Sequence, residues 1–260
     1  MKHPPRISEP VRIRPSEVAE RLGPPPWHEA LLDDGRNWAV LCSDPPGRRT
    51  ETHANADFNE WWVVVSGELR WEIGSHPPVE ARAGDVVFCP AGTGHSVETI
   101  GDGPSLRVAV LPRDAGARKA SGGPGRDAAV APGGPPNMIH TRVAGMLELF
   151  GPPKWTEHVV LDDRNKAGFI HYAPGMSSNP HWHPGLDEWW IVLKGELRWR
   201  IGSNRPLIEA RQGDIVFIPE GLKHGITSVG DDTTVRLAVT PPDMPHIYTD
   251  DDAQAPPARD

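Results

Sequence analysis

The sequence predicts an all-β protein made of two tandem barrels, and three observations carry that expectation. The chain repeats itself: PPPWHEALLDDGRNWAV at 24–40 returns as PPKWTEHVVLDDRNKAGF at 152–169, with Trp27 falling 128 positions before Trp155. The same offset carries His53 to His181, Glu60 to Glu188, Gly67 to Gly195 and Arg70 to Arg198, and one inserted residue then brings Gly84, Pro90 and His95 onto Gly213, Pro219 and His224. Within each copy the segments are short, β-branched and aromatic, and are punctuated by Gly, Pro, Asn or Asp, the pattern of a β-sandwich or barrel. Between the copies, RDAGARKASGGPGRDAAVAPGGPPN has the Gly, Pro and Ala composition of a flexible linker.

These signals place a first barrel at 1–112, a linker at 113–137, a second barrel at 138–245 and a tail at 246–260. At 260 residues the chain can bury two cores. The tail is poor in core-forming residues and is expected to be disordered. Near the N-terminus PSEVAERL reads as a short helix lying on the outside of a barrel. In ELRWRIG, Leu197, Trp199 and Ile201 alternate with Arg198 and Arg200, so one face is buried and the arginines face out. The neighbouring WWIVL is apolar on both faces and is expected to be a central strand.

The net charge of -8 and the absence of a long Lys/Arg run argue against a nucleic-acid partner. No segment has the roughly 20 apolar residues of a membrane span, and the polar, proline-rich start lacks the apolar core of a signal peptide, so the expectation is a cytoplasmic protein that does not engage a membrane. Cys42 and Cys89 are the only cysteines, too few for a disulfide framework and too far apart for a CxxC motif. Cys89, in the apolar run DVVFCP, reads as a small buried hydrophobe. With no GxSxG, Walker-type or GxGxxG signature, the chemistry falls to histidines and carboxylates.

His181 and His183 are two apart, so on a strand both imidazoles point the same way. Glu188 follows the turn PGLD and His224 follows IPEGLK. Three imidazoles and a carboxylate suit Fe, Mn, Ni, Co or Cu with positions left open, an arrangement that serves catalysis. In the first copy His53, Glu60 and His95 remain, but Asn55 stands where His183 would fall. An amide carbonyl is a weaker ligand than imidazole, although two histidines and a carboxylate still suffice for non-haem iron. The first copy is therefore either a degenerate barrel or a second, three-ligand site.

The spacing G(x)5HxH(x)4E(x)6G, met by Gly175, His181, His183, Glu188 and Gly195, and G(x)5PxG(x)2H, met by Gly213, Pro219, Gly221 and His224, resembles the cupin superfamily. The resemblance covers both copies and implies a bicupin of two double-stranded β-helix (jelly-roll) barrels with inward-pointing metal ligands. It implies a metal-dependent oxidoreductase, foremost an Fe(II) dioxygenase acting with O2 on a small aromatic or oxygen-chelating substrate. Non-oxidative decarboxylases, isomerases or lyases of small carboxylates, and non-catalytic ligand-binding proteins, share the fold. Trp190 and Trp62 have the strand parity of Glu188 and Glu60 and are candidates for a pocket wall, as are Lys223 beside His224 and His171 on the strand GFIHY. Asp187 is a possible acid or base, but the sequence assigns no acid–base pair. Trp61 and Trp189 face the other way, which suggests barrel packing or a homodimer.

Overall fold

The two copies of the repeat fold into β-sheets in the same order, because the same alternation of apolar residues is written into both. The computed structural model describes residues 4, 6–115, 120–122 and 133–248. In chain order the elements are β1 (Val11–Ile13), α1 (Pro15–Leu22), β2 (Trp27–Asp33), β3 (Asn37–Asp44), β4 (His53–Asn55), β5 (Glu60–Ser66), β6 (Leu69–Ile73), β7 (Val79–Ala81), β8 (Val86–Cys89), β9 (Gly94–Thr99), β10 (Ser105–Pro112), β11 (Ala120–Gly122) and β12 (His140–Thr141). They continue with α2 (Val143–Phe150), β13 (Trp155–Leu161), β14 (Lys166–Tyr172), β15 (Glu188–Lys194), β16 (Glu196–Ile201), β17 (Ile208–Arg211), β18 (Ile215–Ile218), β19 (His224–Val229) and β20 (Thr234–Thr240).

Pro15 to Met146 belong to one unit, whose sheets run β12-β8-β5-β10-β3-β2 and β11-β4-β9-β6-β7. Trp38, Trp62, Leu69, Trp71, Val87 and Val97 fill the core between them. Arg6–Arg14 and the chain from Leu147 onward form the other unit, with sheets β1-β18-β15-β20-β14-β13 and β17-β16-β19. Its core holds Trp190, Val192, Leu197, Trp199, Val216 and Ile226. Each unit is a jelly-roll barrel of antiparallel strands, as expected. The WWIVL strand is central, paired on one side with β18 and on the other with β20. In β16 Leu197, Trp199 and Ile201 are buried while Arg200 is exposed, the alternation read from the sequence. Helix α1 buries only Pro15 and lies outside its barrel.

The edges of the units differ from the boundaries read in the sequence. β1 pairs with β18, so residues 6–14 complete the second unit, although they precede the first repeat. β12 pairs with β8 and completes the first unit, although the second barrel was expected to begin at 138. Nor is 113–137 all linker: β11 lies within it and pairs with β4. Of the tail, residues 246–248 are built against the second barrel, and 249–260 lie outside the described residues. Local composition cannot report such pairings, because a backbone ladder needs no particular side chain.

The glycine that closes each first motif is required twice over. Gly195 has φ +74 and a Cβ there would stand 2.9 Å from Thr234 Cγ2; Gly67 has φ +81 and a Cβ would stand 2.8 Å from Ser105 Cα. A side chain is thus opposed by backbone conformation and by space.

Candidate metal centre

Strand ends bring the motif residues of the second unit together. Glu188 opens β15 and His224 opens β19, and His181 forms an antiparallel bridge with His224 through backbone bonds of 3.0 and 2.8 Å. The turn of the second motif is tied to the first, since Gly221 N–H donates to the His183 carbonyl at 2.9 Å. His181, His183, Glu188 and His224 are all buried, and one donor atom from each lies within 4.8 Å of the others.

Each imidazole is oriented by a backbone carbonyl. Nδ1 of His181 donates to Asn179 O at 2.8 Å, Nδ1 of His183 to Pro245 O at 2.6 Å, and Nδ1 of His224 to Leu222 O at 2.9 Å. A carbonyl can only accept, so Nδ1 carries the proton in each ring and Nε2 offers a lone pair to the interior. Nε2 of His183 and of His224 stand 3.0 and 3.3 Å from Glu188 Oε2, and none of these three buried atoms has a hydrogen-bond partner. Burial alone would raise the Glu188 pKa; only a proton or other positive charge placed between its carboxylate and the facing His183 and His224 rings outweighs burial and holds it well below the usual carboxylate range. Burial, and then the proximity of His224, lowers His181 to about 4. Buried lone pairs facing one another without a proton between them are the chemistry of a cation site, so these residues fit a divalent metal.

The first unit repeats the frame, but the contacts to its carboxylate and to its last histidine are changed. Its candidate group is His53, Glu60 and His95. His53 pairs with His95 across β4 and β9, and Nδ1 of His53 donates to Glu51 O at 3.0 Å. Gly92 N–H donates to the Asn55 carbonyl, as Gly221 does to His183. But Asn55 Nδ2 donates to Glu60 Oε2 at 2.6 Å, the same oxygen that His95 Nε2 faces at 3.2 Å. Asn55 therefore meets the carboxylate with a proton where His183 meets it with a lone pair. His95 also lies 3.3 Å from Cys89 Sγ and 3.2 Å from the Thr93 carbonyl through Nδ1; burial opposes its charge, yet Cys89 and the facing Glu60 carboxylate prevail and raise it to about 10. Cys89 is buried, as the sequence suggested, and it touches this histidine, which the sequence did not suggest.

The pocket candidates separate. Trp190 and Trp62 do point inward, edge-on to His224 and His95 at 5.3 and 5.2 Å, and both are core residues behind those rings. Lys223 lines a cleft of about 300 Å³ with Arg200, Ser203 and His224 itself. His171 is not brought to the site: it has the opposite parity to Ile170, which packs on the core, and its ring lies against Trp155 at 5.0 Å. Asp187 accepts from Glu220 N–H at 2.9 Å, an interaction that holds a turn. Trp61 and Trp189 are fully buried within this chain, so no second subunit is needed to cover them.

Three features escaped the sequence reading. His246 packs its ring 4.8 Å from His181 and 4.6 Å from His183, and Tyr248 lies 5.6 Å from His181. The only hint was the aromatic MPHIY before the acidic TDDD. Arg236 is buried and stacks on Tyr172 at 4.4 Å, whereas its counterpart Arg107 pairs with Asp44 at 2.7 Å.

Fold and cluster together define a tandem jelly-roll protein with a histidine and carboxylate group inside each barrel. The cupin domain model matches residues 40–111 and again 168–241, more than half of the chain, and the chain belongs to the cupin family. It is 31% identical over 80 residues to the oxalate decarboxylase OxdC of Bacillus subtilis (strain 168), which covers 29% of this chain and 21% of that protein. It is 29% identical over 98 residues to the tetracenomycin polyketide synthase protein TcmJ of Streptomyces glaucescens, 35% of this chain and 64% of that one. The matches thus span less than two thirds of either relative. Among solved structures, salicylate 1,2-dioxygenase of Pseudoaminobacter salicylatoxidans with gentisate is similar at a TM-score of 0.69 and 15% identity, over 91% of this chain and 82% of that one. At that identity the likeness concerns the fold. No helix among the described residues is long and apolar enough to cross a membrane.

Proposed function

We propose that the second barrel is the reaction centre of a metal-dependent oxidoreductase, a non-haem Fe(II) dioxygenase acting on a small aromatic or oxygen-chelating substrate. One observation carries this reading: three imidazoles whose Nδ1 protons are committed to carbonyls turn their lone pairs, with Glu188, onto one buried point. Iron, manganese, nickel, cobalt or copper held there would supply Lewis acidity and, for the redox-active ions, electron transfer between a chelated substrate and O2. Glu188 balances the charge, the three carbonyls hold the ring orientations, and Trp190 excludes water behind His224. The aromatic substrate class is proposed on the precedent of a protein of the same fold, the salicylate 1,2-dioxygenase, and the likeness itself extends to the fold alone.

The first barrel, on this reading, holds no metal under conditions that load the second, because the Asn55 amide proton already occupies the Glu60 oxygen that would face the ion. A non-oxidative reaction on a small carboxylate is the second reading, favoured by Arg200 and Lys223 in the cleft beside His224 and by the match to an oxalate decarboxylase. O2 consumption separates the two.

The test is metal content per chain of untagged protein, for wild type, His183→Ala and His53→Ala, after anaerobic reconstitution with each candidate ion. We expect about one equivalent, lost in His183→Ala and kept in His53→Ala, followed by oxygen uptake with aromatic diols and hydroxybenzoates. No metal in any preparation would end the enzymatic reading.

A further inference from the structure

The chain does not leave the second barrel after β20; it crosses back over the histidines. Met244 is buried and anchors the segment. Ile247 forms an antiparallel bridge with Trp182, the residue between His181 and His183, through bonds of 3.2 and 3.0 Å. Pro245 supplies the carbonyl that takes the His183 Nδ1 proton at 2.6 Å. The strand alternation then turns His246 and Tyr248 to one side, where their rings lie nearly parallel (14° between planes) and against His181. Tyr248 is 62% exposed, and the rings it meets are those of His181 and His246.

The first unit has the same strap without the rings. There β11 pairs Ser121 with Ala54, as Ile247 pairs with Trp182, and Ala54 and Trp182 are equivalent in the repeat. His246 and Tyr248 therefore correspond to Ala120 and Gly122. The imidazole and the phenol occur only on the barrel that keeps all four candidate ligands.

We propose that residues 244–248 form the substrate-contacting wall of the second barrel's site, with His246 and Tyr248 stacking on and hydrogen-bonding to a planar, oxygen-bearing molecule held at the metal. Pro245 sets the orientation of His183 from the same strap. This rests on the metal reading given above. A phenol and an imidazole side by side offer π faces and polar edges together, which suits a hydroxylated aromatic ring better than a small aliphatic acid.

The experiment is an anaerobic titration of the metal-reconstituted full chain with 4-nitrocatechol, whose visible spectrum shifts on chelation, in wild type, His246→Ala, Tyr248→Ala and Tyr248→Phe. Metal content and melting temperature are measured on each. With about one metal per chain throughout, we expect the two alanine variants to weaken nitrocatechol binding by about three- to tenfold, and Tyr248→Phe to regain most of the loss. Binding within twofold of wild type in both alanine variants, or no nitrocatechol binding by metal-loaded wild type, would overturn the proposal and leave the metal reading intact. A loss of nitrocatechol binding in step with loss of metal would make these residues mere supports and also overturn it. A wild-type chain that takes up no metal would sink the metal reading and the strap proposal with it.

Discussion

At the scale of single residues, one difference between the two candidate centres is the sign of a contact. Asn55 and His183 occupy equivalent positions and approach the same carboxylate oxygen, at 2.6 and 3.0 Å, but one brings a proton and the other a lone pair. Asn55→His is expected to raise the bound metal from about one to about two equivalents per chain, read by plasma mass spectrometry; an unchanged count would show that the first barrel is closed to metal for some other reason. His171 makes a different point, because both of its ring nitrogens are buried without partners. Burial first, and then Lys194, lowers its pKa below the usual 6.5. The unfolded chain therefore binds this proton before the folded one does, so stability is complete above about 6.5 and declines as pH falls below that value. His171→Phe removes the buried polar atoms and is expected to stabilise the fold by about 1 kcal/mol and to flatten that part of the pH profile, as followed by urea denaturation. Lower stability at every pH would mean that the imidazole contributes more than it costs.

At the scale of elements, the site depends on strand ends and on the turns that join them. Gly195 is legible from the motif spacing, but the reason for it is not: the φ of +74 and the 2.9 Å approach to Thr234 appear only when β15, β16 and the turn before β20 are assembled. Gly195→Ala is expected to cost at least about 2 kcal/mol in chemical denaturation. A cost below about 0.5 kcal/mol would show that the turn relaxes freely. The HxH spacing was readable for the opposite reason, since alternation on one strand is a local property. What His171 faces was not legible, because its neighbours across β13 and β20, which decide what a strand face meets, lie far away in sequence.

At the scale of the whole molecule, each repeat lends its leading strand to the other unit. Arg14 meets the buried Asp214 at 3.2 Å, Arg12 donates to the Glu209 carbonyl at 2.8 Å, and in the equivalent place His140 meets Asp85 at 3.0 Å. Deleting residues 1–14 should therefore destabilise the second unit by roughly 2–3 kcal/mol, because Asp214 loses its cation, keeping the Arg211 N–H, and β18 loses one of its two neighbouring strands. The expected result is a lower melting temperature with weaker metal retention. An unchanged melting temperature would show that β1 contributes little to the unit it completes.

The duplication, the barrel class and the His, Glu, His spacing were determined by the sequence alone, because each rests on residue identities repeated at fixed intervals or on period-two burial. The tertiary structure decided what those residues meet: the three carbonyls that turn the imidazoles, the Asn55 proton on Glu60, the exchanged edge strands and the strap carrying His246 and Tyr248. Those contacts are made largely by backbone groups and by segments far apart in the chain. Every residue carries the same N–H and C=O, so no composition or spacing could announce where they would pair.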